Sequence, residues 1–320
     1  MTTWSRLLPV AGLVALTVAC SAPADAPAAL IPPEAPYQGV SLLGDTLRNF
    51  PLSDAARTRY LAQLDTAQQA YMRAPANIDS LIWYGRRLGY LGRLQEAIAV
   101  YTHGLTLAPD NPWLLRHRGH RYLSVREFDK AIADLGRAEQ LTAGKPDEVE
   151  PDGQPNALNQ PIGTLQSNVR YHLALAHYLK GNYADAARVA QAELDVASND
   201  DRRVSMTHWL YHSLRRAGRV EDAIKSLDGI SANMQIIENT NYHKLVQMYK
   251  GLLPIDSVLP ANTTGELSVQ DVSSAYGVAA YMLGNGQEAE AKSLMQRIVQ
   301  AGQWGAFGAI AAEADLARMK

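Results

Sequence analysis

Two stretches decide how this chain is read: LIWYGRRLGYLGRLQEAIAVYTHGLTLAPDN, from Leu81 to Asn111, and LLRHRGHRYLSVREFDKAIADLGRAEQL, from Leu114 to Leu141. Laid one on the other, Gly85 falls on Gly119, Leu88 on Tyr122, Ala97 on Ala131, Tyr101 on Leu135 and Gly104 on Ala138, every offset being 34 residues. Self-similarity at a fixed period marks a repeat architecture, in which one unit cannot bury its apolar face alone and stacks on its neighbours to do so. The apolar positions recur at helical spacing, and no stretch alternates as a strand would. Small residues at matching places imply close helix contacts, where added volume would overpack the joint. Pro109 closes the first copy before the second begins.

Weaker copies follow. LALAHYLKGNYADAARVAQAEL aligns through Gly181, Tyr183 and Ala186, LYHSLRRAGRVEDAIKSL through Leu210, Gly218, Val220 and Ala223, and VAAYMLGNGQEAEAKSLMQRIV through Ala279, Gly286, Ala291 and Met295. TNYHKLVQMYKGLLPIDSVL reads as a degenerate copy whose second helix is cut short near Pro254. Ser53 to Arg73 reads as a lone amphipathic helix and Trp304 to Met319 as a closing one. The period and the small joint residues resemble the tetratricopeptide repeat (TPR), a helix-turn-helix unit, and the resemblance covers most of residues 53 to 319. It implies an all-α, right-handed superhelical array of five to six repeats, some degenerate, with flanking helices.

The N-terminus reads differently. MTTWSRLLPVAGLVALTVAC has one basic residue, Arg6, then a 13-residue apolar run from Leu7 to Ala19, too short to span a bilayer and suited to a signal-peptide core. LTVAC at Leu16 to Cys20 resembles the lipobox of bacterial lipoproteins, with Cys20 the lipidated first mature residue. A plain secretory signal or an uncleaved anchor are the alternatives. Cys20 is the only cysteine, so an exported chain would have neither a disulfide nor a spare thiol. The expected organisation is a signal peptide over 1–19, a lipidated cysteine and Ala/Pro-rich tether over 20–51, and the array over 52–320. An acidic, proline-rich loop, TAGKPDEVEPDGQPNALNQPIG, interrupts it from Thr142 to Gly163. The expected location is the cell envelope, anchored by lipid alone, with the outer membrane favoured by Ser21 after the lipidated position.

In bulk the chain is nearly neutral, 30 Lys+Arg against 32 Asp+Glu, which gives no general attraction to nucleic acid or anionic membranes. Locally it is not. Arg116 to Arg121 crowds three arginines and two histidines into six residues. Residues three or four apart share a helix face, so Trp113, Arg116, His117 and His120 lie together, with Arg118 and Arg121 to the side. The resemblance places this face on the concave groove where partner peptides bind. The same face supplies Asp79, Trp83, Arg86 and Tyr90 in copy one, Asn168, Tyr171, His172 and Tyr178 in copy three, and His208, Trp209, His212, Arg215 and Arg216 in copy four. An ordinary solvated helix face is the competing reading.

The expected function is therefore a membrane-anchored interaction scaffold, binding an acidic or carboxylate-bearing peptide or protein. Arginine forks suit carboxylates because they present paired donors in fixed geometry. An anionic small molecule, a glycan or a metal in the cell envelope is an alternative ligand, and an enzyme using groove His and Arg a lesser alternative. The histidine pairs His117/His120 and His208/His212 have chelating spacing, but no carboxylate joins either and nearby arginines oppose a cation, so no metal or cofactor is expected. No G-x-S-x-G, phosphate loop or H-E-x-x-H occurs, and GNGQEA at Gly284 to Ala289 follows a helix, so an enzyme is not expected. The lipobox reading makes a direct prediction. Cys20→Ser should leave the precursor uncleaved and without lipid, read by mass spectrometry of the membrane fraction; a mature N-terminus elsewhere would refute it.

Overall fold

The computed structural model describes residues 1, 37–48, 50, 52–259 and 267–319. The signal-like segment, Cys20 and the tether as far as residue 36 lie outside the described residues. Among the described residues no helix is long and apolar enough to cross a membrane.

The fold is an all-α superhelical array of TPR-type hairpins. Helix α1 (Asp54–Arg73) is followed by α2 (Ile78–Tyr90) with α3 (Leu94–Leu107), α4 (Pro112–Ser124) with α5 (Phe128–Thr142), and α6 (Leu165–Lys180) with α7 (Tyr183–Leu194). Then come α8 (Asp200–Arg216) with a short α9 (Val220–Lys225), a lone α10 (Thr240–Tyr249), α11 (Val269–Gly284) with α12 (Glu288–Gln300), and α13 (Phe307–Arg318). The degenerate copy keeps its first helix and, past Pro254, has only a 3-10 turn, Ile255–Ser257. Side-chain caps start most of the helices that open a unit: Asn77 accepts from Ser80, Asn111 from Leu114 with Pro112 in the first turn, and Asn199 from Arg202, while α10 has none.

The joints are as tight as the repeat pattern implied. A methyl group built on Gly85 would lie 2.5 Å from the Tyr101 ring, and one on Gly119 would lie 2.7 Å from Leu135 Cγ. These are the same two positions of successive copies, so the 34-residue offset is a packing constraint. Ala97 and Ala131 are fully buried beside them.

Two parts differ from the sequence-based expectation. The tether was placed over 20–51, yet residues 38 to 47 belong to the fold. They form a short antiparallel hairpin, β1 (Gly39–Val40) and β2 (Thr46–Leu47). Helix α3 has no side-chain cap of its own. The buried Gln38 Oε1 serves instead, accepting from Leu94 N at 2.7 Å and Gln95 N at 3.2 Å.

The second difference is α13. It closes the last repeat as expected, packing on α11 and α12, but it also reaches the first helices of earlier copies. Phe307 packs on His120, Tyr171 and His172. Asp315 bonds to Arg216 of α8 and Tyr276 of α11, and Arg318 donates to Leu179 O at the end of α6. From Gly308 to Leu316 every residue is buried, as expected of a helix with no polar face. Its Glu313 meets Arg126 in a two-point ion pair at 3.0 and 2.6 Å and also accepts from Leu42 N. One carboxylate thus joins the N-terminal hairpin, the α4–α5 turn and the last helix.

Gly119→Leu should destabilise the protein by ~1–3 kcal/mol or more through overpacking against Leu135, measured by urea unfolding. A neutral result would refute the joint.

Candidate functional site

With α13 in place, the inner face of copies three and four is filled. Tyr178, His208, Trp209 and His212, expected to line an open groove, are instead packed inside, each no more than 2% exposed. Tyr178 and Tyr276 share a hydrogen bond at 2.7 Å, and Tyr276 donates to Asp315 at 3.0 Å. Trp209 lies against both tyrosine rings. His208 Nδ1 is 2.9 Å from the Tyr249 hydroxyl, and His212 lies edge-on to His208. Arg216 pairs with Asp315 at 2.9 Å and donates to Tyr183, while Arg215 donates to Tyr211, Asn285 and Gly284 O. The physical reason is one the local pattern does not carry: tyrosines of α10 and α11 cover these side chains, and Asp315 of the distant α13 ties down Tyr276 and Arg216 behind them.

The inner face of copies one to three remains partly open. A cavity of about 350 Å³ is lined there by Arg86, Tyr90, Arg116, Asn168, Tyr171, His172 and Arg202, among others. The expected residues Arg86, Tyr90, Arg116, Tyr171 and His172 are therefore brought together. Trp83, Trp113 and His117 border a smaller neighbouring cavity of about 230 Å³ with Asp79 and Arg86. Trp83 carries the Arg86 and Arg87 guanidinium groups over its ring at 4.5 and 5.0 Å. His120 leaves the group, stacking with His172 and Phe307.

What separates the two cavities is the acidic loop. Its stem is zipped by Glu150 N to Gly163 O and Leu165 N to Glu148 O, and the strand between crosses the arginines as a strap. Glu150 is buried, its Oε2 2.9 Å from Arg116 Nε and 2.8 Å from Asn168 Nδ2. Its Oε1 stands 3.8 Å from His117 Nε2 and 4.0 Å from Arg86. Arg86 donates to Pro151 O and Arg87 to Gly153 O, each at 2.8 Å, and Tyr60 donates to Gln154 at 2.9 Å. A methyl on Gly153 would lie 1.8 Å from the Tyr90 hydroxyl oxygen, so only glycine lets the backbone pass so close.

The strap fits imperfectly. Arg116 Nε is near Glu150 but out of line for a hydrogen bond, and it, His117 Nε2 and Asp152 Oδ2 are buried without one. Arg121, expected on the flank, is tucked against Gly89 and lowers its own charged-state stability, first through burial and then through Arg116 and Arg86. It belongs to the cluster. Arg118 does not: it pairs with Asp134 at 2.7 Å inside its own repeat. Sequence reasoning missed Arg87, Arg202 with its buried partner Glu193, and Tyr242, whose hydroxyl is 2.9 Å from that of Tyr171. No local signal pointed to them, since Arg87 bonds to a loop carbonyl and Arg202 to Glu193 of α7, which the chain path alone brings near.

The histidines behave differently from expectation. Burial, then neighbouring Arg116 and Arg86, hold His117 well below the usual imidazole range; burial and Arg121 do so for His120, and burial and Arg116 for His172. Burial lowers His208 to about 3 and, with His208 beside it, lowers His212 well below 6.5. Acidification near pH 6.5 therefore does not charge this face. His117 and His120 point to different neighbours, and among the described residues no group of three or more His, Cys, Asp or Glu is placed to hold a metal.

No family model matches the sequence, and no curated protein matches it. Among solved structures, a TPR protein from Parabacteroides merdae is 16% identical, with a TM-score of 0.45 over 82% of this chain and 94% of its own. YrrB, described as a TPR protein with an unusual peptide-binding site, is 12% identical, with a TM-score of 0.41 over 74% and 93%. MamA AMB-1 is 21% identical, with a TM-score of 0.39 over 54% and 88%. The fold assignment rests on the helix pairing described above.

The buried imidazoles set a pH dependence of stability. Folded, they stay neutral; unfolded, they protonate near pH 6.5. Below that pH the unfolded chain binds protons that the folded chain refuses. Stability is therefore complete above about pH 6.5 and falls towards the folded values by ~1.4 kcal/mol per pH unit for each histidine so held. Urea midpoints at pH 7.5, 6.5 and 5.5 should show a steep loss only in the lower step. A flat profile would mean that these imidazoles are solvated.

Proposed function

We propose that this chain is an interaction scaffold that holds an extended acidic segment of a protein partner on the inner face of its first three repeats. The observation that carries the reading is the seat of Glu150. Around this one carboxylate stand Arg116 at 2.9 Å, Asn168 at 2.8 Å and, at longer range, His117 and Arg86. Beside it Arg86 and Arg87 hold the carbonyls of Pro151 and Gly153. The face therefore offers donors both for a carboxylate and for the backbone of an extended peptide, with Trp83 and Tyr90 as flat walls. A guanidinium suits both tasks, since it carries several donors in one plane and keeps its charge.

Binding needs no bond to be made or broken, and no residue in the cluster is paired as nucleophile with base. The proposed contacts are Arg86, Arg87, Arg116 and Arg121, with Asn168 and Tyr171 beside them. Arg216 serves to hold α13 through Asp315, and Arg215 holds the end of α11 through Gly284 and Asn285. Lipid attachment at Cys20, and with it a place on the cell envelope, remains part of the proposal and rests on the LTVAC stretch alone.

The test is a titration with a peptide series of equal length, rich in glutamate, in glutamine or in lysine. The glutamate peptide should bind best and weaken as salt is raised, because screening shortens the reach of the cluster. Arg116→Ala and Arg121→Ala should each reduce its affinity about tenfold or more, ~1.4 kcal/mol, while Arg188→Ala on the outer side should not. Equal affinity for all three peptides would sink the reading.

A further inference from the structure

We propose that the strap from Glu148 to Gln154 is a built-in stand-in for the partner, so that the site is closed until an acidic, extended segment of similar pattern displaces it. The inference rests on the reading above and adds two things: how the site is regulated, and what chemistry the partner presents.

The first support is that the strap engages the face as a bound peptide would. Only one of its side chains is deeply inserted, Glu150, flanked by exposed Val149 and by Pro151. The carbonyls of Pro151 and Gly153 accept from Arg86 and Arg87. The pattern recognised is thus an acid followed by proline, in extended backbone, with a second acid two residues on.

The second support is that the fit leaves polar atoms unsatisfied. Arg116 and His117 are both more than nine-tenths buried, and Arg116 Nε and His117 Nε2 face the Glu150 carboxylate without an aligned bond. Asp152 Oδ2 is buried without a hydrogen-bond partner. An unsatisfied buried polar atom costs about 1–3 kcal/mol, so a ligand free to adopt the better geometry has an advantage over a segment tied at both ends. Arg121 has no carboxylate partner within the described residues, and lies beside Arg116 and Arg86. Removing the strap takes Glu150 and Asp152 away from these cations and leaves an uncompensated positive face.

The third support is that the strap is held by single hydrogen bonds and not by packed side chains. Outside the Glu150 seat its anchors are the two stem bonds, Glu150 N to Gly163 O and Leu165 N to Glu148 O, the Tyr60–Gln154 bond and the two arginine–carbonyl bonds, with a contact of Asn156 to Glu238 just beyond it. Glu238 and Asp152 are both pushed up by burial and, for Glu238, by Asp152 nearby, so this end of the loop brings like charges together.

The test uses a labelled peptide with the sequence of residues 146–156, PDEVEPDGQPN, added to the full chain. Two variants loosen the strap without touching the arginines: Gly153→Val, whose side chain collides with Tyr90, and Glu150→Gln with Asp152→Asn. Hydrogen exchange at the amides of Glu150 and Leu165 reports whether the strap has left. Both variants should raise that exchange and bind the peptide at least tenfold more tightly than the unaltered chain, and adding Arg116→Ala should remove the gain. Equal binding to the unaltered chain and the variants would overturn the inference and leave the acidic-partner reading standing. Freed amides with no peptide binding would overturn both. Unchanged exchange in both variants would mean that the strap is a fixed wall of the array, which also overturns the inference.

Discussion

A guanidinium stripped of water costs several kcal/mol unless a carboxylate and hydrogen-bond acceptors replace the solvent. This constraint organises the inner side of the array. The first helices of the repeats turn arginines inward, and whatever covers that side has to bring acids with it. Helix α13 brings Glu313 to Arg126 and Asp315 to Arg216 and Arg318. The loop between α5 and α6 brings Glu150 to Arg116. Between these elements Glu193 serves Arg170 and Arg202. The matching is incomplete at Arg116, whose Nε lacks an aligned bond and which borders the larger inner cavity.

A TPR array is quasi-one-dimensional, each repeat resting on the next, so its two ends have no reason to meet. Here they do. Leu42 in the N-terminal hairpin and Arg126 in the second repeat both bond to Glu313 near the C-terminus, and Arg126 also donates to Trp304 O. The chain thereby gains contacts of high sequence separation that a plain array lacks. Along the inner side, α13 is tied to the later repeats through Asp315, and the α5–α6 loop crosses the earlier ones through Glu150.

The histidines show how far this closure changes the chemistry. Exposed, five imidazoles beside arginines would form a face sensitive to mild acid. Packed against Phe307, Tyr249 and each other, they are held neutral, and their titration is coupled to unfolding instead of to ligand charge. Groove electrostatics then rest on arginine, which does not titrate near neutral pH.

The sequence by itself determined the repeat. Helix periodicity and the demand for small residues at Gly85, Gly119, Ala97 and Ala131 are local properties, because two helices of one hairpin meet at a fixed spacing. It also determined that arginine and aromatic side chains share one face of each first helix, since that follows from the turn per residue. Which of them stay open was decided by tertiary structure alone. Trp113 and Trp209 carry the same local pattern, yet one borders a cavity and the other is buried. The difference comes from α11, which brings Tyr276 onto Trp209 from nearly seventy residues further along the chain. The acids of the loop were visible as composition, but the seat of Glu150 among Arg116, Asn168 and His117 depends on segments about 18 to 34 residues away meeting in space, a matter of chain path that no local periodicity encodes.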